Sequence, residues 1–160
     1  MDLFYTNISE FKQQKNKSER QHFAGRYIVE YAAKNIYNID NTEIKIINNK
    51  PYFKYSDIKF SISHSGEIAA VCFDKNPVGL DIERMLPRDF EAISKRMKFE
   101  SKTNTLEEFY ENWTLFEAAY KLQDSFKSKF TSVFNHEYMM SIVSSSVIDI
   151  KNEIKFFEIK

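Results

Sequence analysis

The stretch from Phe60 to Glu83, FSISHSGEIAAVCFDKNPVGLDIE, constrains the fold of this chain more than any other. Its apolar runs, broken twice by turn residues, predict three short strands in succession. In the third strand the carboxylates of Asp81 and Glu83 are two positions apart, so both point to one face while the apolar residues point to the other. Two acids on a half-buried strand are costly unless positive charge lies beside them. The sequence therefore predicts a positive partner at this strand.

Length, charge and cysteine content limit the kinds of protein that this chain can be. The 160 residues suffice for one domain or two tightly fused halves. Basic and acidic side chains number 23 each, so no overall field attracts nucleic acid or a membrane surface. The first ten residues lack a secretory signal, and the single cysteine leaves no disulfide. We expect a monomeric, cytoplasmic protein that acts without nucleic acid or membrane.

Two amphipathic stretches, residues 15–37 and 106–124, predict long helices. Phe23, Tyr27 and Tyr31, with Ala24 and Ile28 alongside, are expected to form the apolar face of the first helix. Trp113 and Tyr120 of the second helix are expected to face the core. Further strands are predicted near residues 44–47, 130–134, 137–143 and 154–158, and Ser63 to Gly66 is predicted to be a turn. A helix followed by strands in each half predicts an α/β (α+β) fold, with one half over residues 1–75 and a similar half over 76–160.

Glu117 has two interpretations. Trp113, Glu117 and Lys121 are one helical turn apart, so Glu117 and Lys121 can form an ordinary surface ion pair worth a few tenths of a kcal/mol (about 0.2–0.5). Alternatively, Glu117 joins Asp81 and Glu83 in an open Mg²⁺ site that also takes waters and substrate phosphates. Lys121 is then free to meet a phosphate as a point charge.

His64, between two serines, also admits several interpretations. A histidine at a strand-end turn is most often structural, with Ser63 or Ser65 closing the turn. A serine hydrolase is disfavoured because the G-x-S-x-G motif is missing. A third interpretation is contact with a ligand phosphate. Arg20 and Arg26 on the first helix can likewise be an ordinary solvated surface.

Three motifs in order give the chain a family resemblance. They are FSISHSG at 60–66, PVGLDIE at 77–83 and WTLFEAAYK at 113–121. They resemble the S-H-S turn, the G-[IV]-D-[IV]-E strand and the W-[ST]-x-K-E-[AS]-x-x-K helix of the 4′-phosphopantetheinyl transferase superfamily, of the surfactin-synthetase-activating type. Two weaker matches are ERQHFAGRYIV, similar to the family's basic first helix, and NNKPYF, similar to its G-K-P turn.

The resemblance implies a fold of two pseudo-twofold halves, each with a long helix on a small sheet, and a ligand cleft between them. It also implies a holo-[acyl-carrier-protein] synthase type of activity. Such enzymes move the phosphopantetheine arm of coenzyme A to a serine of an apo acyl or peptidyl carrier protein and release 3′,5′-ADP. The implied metal is Mg²⁺, with Mn²⁺ as a substitute.

The resemblance also implies a role for each residue that matches a family motif. Asp81, Glu83 and Glu117 are the implied metal ligands. Glu117, Lys121 and His64 are the implied catalytic residues. Arg20, Arg26, Lys50, Ser63, His64 and Lys121 are the implied contacts to coenzyme A.

One residue departs from the family pattern. The family's lysine immediately before the helix glutamate is Phe116 here, which cannot pair with a phosphate. One charge-assisted contact of about 1.5–3 kcal/mol is lost by this change. The alternative function is therefore a weakened or silent relative that binds coenzyme A or a carrier protein.

Overall fold

The computed structural model describes residues 1–99 and 103–160. Its strands are β1 (Asp2–Asn7), β2 (Ile44–Ile47), β3 (Lys50–Phe53), β4 (Lys59–Ser65), β5 (Ile68–Asp74), β6 (Val78–Arg84), β7 (Ser128–Phe134), β8 (Tyr138–Ser144) and β9 (Lys155–Glu158). Its helices are α1 (Lys17–Asn35), α2 (Phe90–Met97), α3 (Leu106–Leu122) and α4 (Ile150–Glu153). The predicted mixed α/β class is confirmed. Within the described ranges, no helix combines the length and apolar character needed to cross a bilayer.

The strands form two larger sheets and one hairpin. The first sheet has the order β4-β5-β1-β9, the second has the order β6-β8-β7, and β2 pairs with β3 in the hairpin. Only the pairing of β1 with β9 is parallel in these sheets. Strand β9 thus brings residues 155–158 into the sheet built mainly by the first half of the chain. The division at residue 75 stays a prediction.

Helix α1 packs on the first sheet through small residues rather than aromatic ones. Ala24, Ile28 and Ala32 are fully buried there. The prediction that Phe23, Tyr27 and Tyr31 face the core was wrong, because their exposed fractions are 45%, 38% and 38%. A helix that approaches a sheet through alanines leaves no space for aromatic rings, which lie along its flank instead.

Helix α3 packs on the second sheet, and its start is fixed by a capping box. Thr105 accepts a hydrogen bond from the backbone of Glu108, whose carboxylate binds the backbone N–H of Thr105 in return. Trp113 is half-buried, whereas Tyr120 is 68% exposed, so the predicted burial of Tyr120 was wrong. At Gly79 a Cβ would lie 2.0 Å from the carbonyl oxygen of Ala118, so the backbones of β6 and α3 are in close contact there.

Strands β4 and β6 lie side by side but belong to different sheets. Serine hydroxyls on β4 bridge them by accepting backbone N–H groups of β6. We call these three bonds the serine seam: Leu80 N to Ser61 Oγ (3.0 Å), Ile82 N to Ser63 Oγ (3.1 Å) and Arg84 N to Ser65 Oγ (3.0 Å). The predicted turn at Ser63 to Ser65 was wrong, because these residues end β4 and the turn begins at Gly66, whose φ is +56°.

Candidate active site

A cavity of about 810 Å³ opens where α1, the hairpin, β4, β6 and α3 meet. The basic side chains that line it are those of Arg26 and Lys121, together with the imidazoles of His22 and His64. The anionic side chains that line it are Asp81, Glu83 and Glu117, which we call the acid group. The side chains of Trp113 and Ile62 form an apolar part of the cavity wall. Cationic and anionic groups on one wall suit a ligand that carries phosphate together with a cation.

Asp81 is the most enclosed member of the acid group. Its side chain belongs to β6, and the residue is 4% exposed. Its Oδ1 accepts hydrogen bonds from Ser63 Oγ at 2.9 Å and from Lys121 Nζ at 2.7 Å. Its Oδ2 is buried and has no partner among the residues that the structure describes. Burial raises the pKa of Asp81 above its ordinary value, although Lys121 and Ser63 oppose the shift. The positive partner predicted for this strand is therefore Lys121.

The other two carboxylates are half-buried. Ser65 Oγ donates to Glu83 Oε2 at 2.6 Å. Burial raises the pKa of Glu83, and the charge of Asp81 raises it further against the opposing bond from Ser65. Burial and the charge of Asp81 also raise the pKa of Glu117, against the opposing charge of Lys121. The acid group is thus short of positive charge even with Lys121 present.

The oxygen donors of the acid group fit a hard divalent cation. Mg²⁺ takes carboxylate oxygens together with waters and substrate phosphates, and the unpartnered Oδ2 of Asp81 is a donor of that type. The three carboxylates are not drawn together as a ready-made cage: over residues 1–99 and 103–160, no three His, Cys, Asp or Glu side chains are grouped to hold a metal. The oxygen donors of the acid group therefore suit Mg²⁺, and the three carboxylates form an open site rather than a closed cage.

His64 and His22 form the other side of the cavity. Their rings meet edge to face, with centroids 5.1 Å apart and planes at 77°. Burial lowers the pKa of His64, and the charges of His22 and Lys121 lower it further. The sequence reasoning missed His22. Its spacing of four residues from Arg26 on a helix could have found it, since such residues share a face.

Comparison with known proteins gives a consistent result. No protein-family model matches the chain. A Haemophilus influenzae protein named "Putative 4′-phosphopantetheinyl transferase" is 36% identical over 88 residues, which cover 48% of this chain and 37% of that protein. The protein named 4′-phosphopantetheinyl transferase gsp of Aneurinibacillus migulanus is 27% identical over 133 residues, covering 72% of this chain and 56% of that protein. The resemblance to the 4′-phosphopantetheinyl transferase superfamily is confirmed.

The chain spans only 37% and 56% of the lengths of these two relatives. The activity of a whole phosphopantetheinyl transferase is therefore not transferred to this chain by similarity alone.

Not every residue that matches the phosphopantetheinyl transferase motifs reaches the cavity. The structure brings together Arg26, Ser63, His64, Lys121 and the acid group. Arg20 is not among the lining residues, and its Nε is buried without a partner in the described ranges of the chain. Lys50 is 5% exposed, and its Nζ donates to the carbonyls of Val78 and Leu122 at 3.1 Å each. Lys50 thus ties the hairpin to β6 and to the end of α3.

Phe116, which replaces the phosphopantetheinyl transferase lysine, does not line the cavity. It is 44% exposed, and its ring centroid lies 6.3 Å from that of Phe99. Its aromatic ring therefore leaves the cavity open and presents an apolar surface just outside it.

Burial of Lys50 predicts a distinctive pH dependence of stability. Burial lowers the pKa of Lys50 from 10.5 to about 8. The folded protein then loses this proton near pH 8, whereas the unfolded chain keeps it to about pH 10.5, so this residue adds stability as the pH rises between these values. The neutral amine still has two N–H groups for its two carbonyls. We expect the destabilisation caused by Lys50→Met, measured by urea unfolding, to grow from pH 8 to pH 10.

Subtracting the variant from the wild type removes the contributions of other titrating groups, so the difference reports on Lys50 alone. Lys45→Met, at an exposed position of the same hairpin, is the matched control and should show no such trend. A difference for Lys50→Met that stays flat or shrinks over this range contradicts the lowered pKa.

Proposed function

We propose that this protein is a phosphopantetheinyl transferase that moves the phosphopantetheine arm of coenzyme A to a serine of an acyl or peptidyl carrier protein. The observation that carries this proposal is the cavity, because the residues of three separate motifs line it together with the basic first helix. The two relatives named for this activity support the same conclusion.

In the proposed reaction, the serine oxygen of the carrier bonds to the phosphorus that bears the pantetheine arm. The bond from that phosphorus to the oxygen bridging to the nucleotide half breaks, and 3′,5′-ADP leaves with that oxygen. The proton of the serine hydroxyl goes to Glu117. When no cation is bound, burial and the charge of Asp81 raise the pKa of Glu117, which favours proton acceptance near neutral pH.

The remaining residues of the cavity bind coenzyme A and orient its phosphates. Arg26 and His64 contact the nucleotide end of coenzyme A, and Lys121 neutralises charge on the transferred phosphate. Asp81, Glu83 and Glu117 would hold Mg²⁺, which would supply charge neutralisation at the pyrophosphate. Phosphoryl transfer depends chiefly on such positioning and charge stabilisation, which makes an open acid group beside cationic residues suitable for it.

We also propose how the two halves are related, where coenzyme A lies and how the protein acts in the cell. Residues 1–75 and 76–160 form two halves related by a pseudo-twofold axis, and coenzyme A lies in the cleft between them. The protein acts as a cytoplasmic monomer on its carrier, without nucleic acid or membrane. Superposition of the two halves in an experimental structure and the mass of the protein in solution test the symmetry and the monomer.

The activity is tested by incubating the protein with coenzyme A, Mg²⁺ and a panel of apo carrier proteins. We expect a mass gain equal to the phosphopantetheine arm on at least one carrier, and no gain on the same carrier with its serine changed to alanine. Coenzyme A binding without transfer to any carrier from the same cell would instead indicate a silent relative. Absence of both binding and transfer would rule out the proposal.

His64 gives a separate prediction. We expect His64→Ala to raise the KM for coenzyme A by roughly tenfold, the value of one charge-assisted hydrogen bond, and to change kcat little. The control is His136→Asn, because His136 is exposed in the turn between β7 and β8 and its φ of +61° suits asparagine. An unchanged KM for His64→Ala would count against its contact with the nucleotide end.

A further inference from the structure

The hydroxyl groups of the serine seam can donate a hydrogen bond as well as accept one. A serine hydroxyl has one proton to donate and two lone pairs that accept. In the seam, one lone pair of each hydroxyl already accepts a backbone N–H of β6. The proton of each hydroxyl is therefore available for donation to a further acceptor where one is within reach.

For two of the three serines, that acceptor is a carboxylate of the acid group. Ser63 Oγ lies 2.9 Å from Asp81 Oδ1, and Ser65 Oγ lies 2.6 Å from Glu83 Oε2. Each carboxylate comes one residue before the N–H that the same hydroxyl accepts. The backbone of β6 thus orients the hydroxyl, and the hydroxyl orients the carboxylate beside it.

Ser61 has the same place in the seam without this second contact. Its Oγ accepts the N–H of Leu80 at 3.0 Å, and in the part of the chain that the structure describes it has no carboxylate partner. The corresponding residue of β6, one before Leu80, is Gly79, which has no side chain to accept from this hydroxyl. Ser61 therefore contributes to the joining of the sheets but not to the acid group, and it separates the two roles experimentally.

We propose that Ser65 is a positioning residue that fixes the Glu83 carboxylate for cation binding at the acid group. This inference rests on the proposed function, since the carboxylate must be held for a divalent cation. A charge-assisted O–H to carboxylate bond of 2.6 Å restricts the rotation of Glu83, which is only half-buried and lacks the ion pair that holds Asp81. Ser63 does the same for Asp81, but it also accepts from Lys121 at 3.0 Å, so its removal disturbs two groups at once.

The test compares binding of Mn²⁺, used as a spectroscopic probe, to the full chain and its variants without coenzyme A. We expect Ser65→Ala to weaken Mn²⁺ binding about tenfold or more, because partners of ligating carboxylates typically contribute 10–100-fold to affinity. Ser61→Ala removes an equivalent seam bond and should leave Mn²⁺ affinity unchanged. Ser65→Thr keeps the hydroxyl and should restore most of the affinity. Equal affinities of Ser65→Ala and Ser61→Ala would overturn the proposal.

A wild-type protein that binds no Mn²⁺ would overturn the metal part of the proposed function but not the positioning of Glu83. Crystal structures of the two alanine variants then decide. A Glu83 side chain that turns away from Asp81 in Ser65→Ala, and keeps its place in Ser61→Ala, supports the inference. A Glu83 that keeps its place in Ser65→Ala overturns it.

Discussion

Replacing Gly79 with alanine is expected to destabilise the protein by about 3 kcal/mol or more, the upper end of the cost of overpacking a core. A Cβ at this position would lie 2.0 Å from the carbonyl oxygen of Ala118 and 3.0 Å from the backbone nitrogen of Leu122. Backbone atoms of a helix cannot rotate aside as a side chain can. Strand β6 would have to move away from α3, which exposes part of a fully buried core. Urea unfolding of the variant measures the loss.

The matched control is Gly25→Ala. A Cβ on Gly25 meets only the Cγ2 of Ile62, at 2.9 Å, and this methyl group is the end of a side chain that can turn. Alanine in a helix is also favoured over glycine by about 1 kcal/mol. We therefore expect Gly25→Ala to change the free energy of unfolding by less than about 1 kcal/mol. Similar losses in the two variants would show that backbone contact at Gly79 is not the cause.

The same Gly79 contact would affect the cavity. Asp81 is two residues along β6 from Gly79, and Lys121 is three residues along α3 from Ala118. Close approach of β6 to α3 therefore brings the Asp81 carboxylate to the Lys121 ammonium at 2.7 Å. A partly folded Gly79→Ala protein should lose cation binding along with stability.

The strands were largely predictable because burial alternates or runs continuously along them. Strand β5 is buried over residues 68–73, and a short apolar run between turn residues indicates such a strand. The packing face of α1 was predictable only in part, because apolarity placed Ala24 and Ile28 on it correctly but placed Tyr27 and Tyr31 there as well. How closely a helix approaches a sheet is decided by the smallest side chains between them, such as Ala24 and Ala32, and this choice depends on the whole interface.

The candidate site likewise has some features that could be predicted from the sequence and others that could not. The period of two placed Asp81 and Glu83 on one face, and the period of a helix placed Glu117 beside Lys121, so these side chains could be grouped from sequence. The buried position of Lys50 could not be predicted from sequence, because one of its partners, the carbonyl of Leu122, is 72 residues away in the chain. Hydroxyl contacts such as that of Ser65 depend on register between two sheets, which no local pattern records.

Replacing Glu117 with glutamine is expected to lower the kcat of phosphopantetheine transfer by about 10²–10⁴-fold, the usual contribution of a general base. The amide keeps the size of the carboxylate but cannot take the serine proton. Removal of this charge also relieves repulsion from Asp81, so the unfolding midpoint in urea should not fall. Rates are measured by the mass gain of the carrier at saturating coenzyme A, after the activity test has identified a carrier.

Glu111→Gln is the matched control for this variant. Glu111 is an exposed carboxylate on the same helix, and it does not line the cavity. Its loss should leave kcat and the unfolding midpoint unchanged, because an exposed charge outside the cavity interacts weakly with the reacting groups. If Glu117→Gln retained the wild-type kcat, the serine proton would have to leave by another route. The acid group would then serve only to bind the cation, and the cation would bind the phosphates.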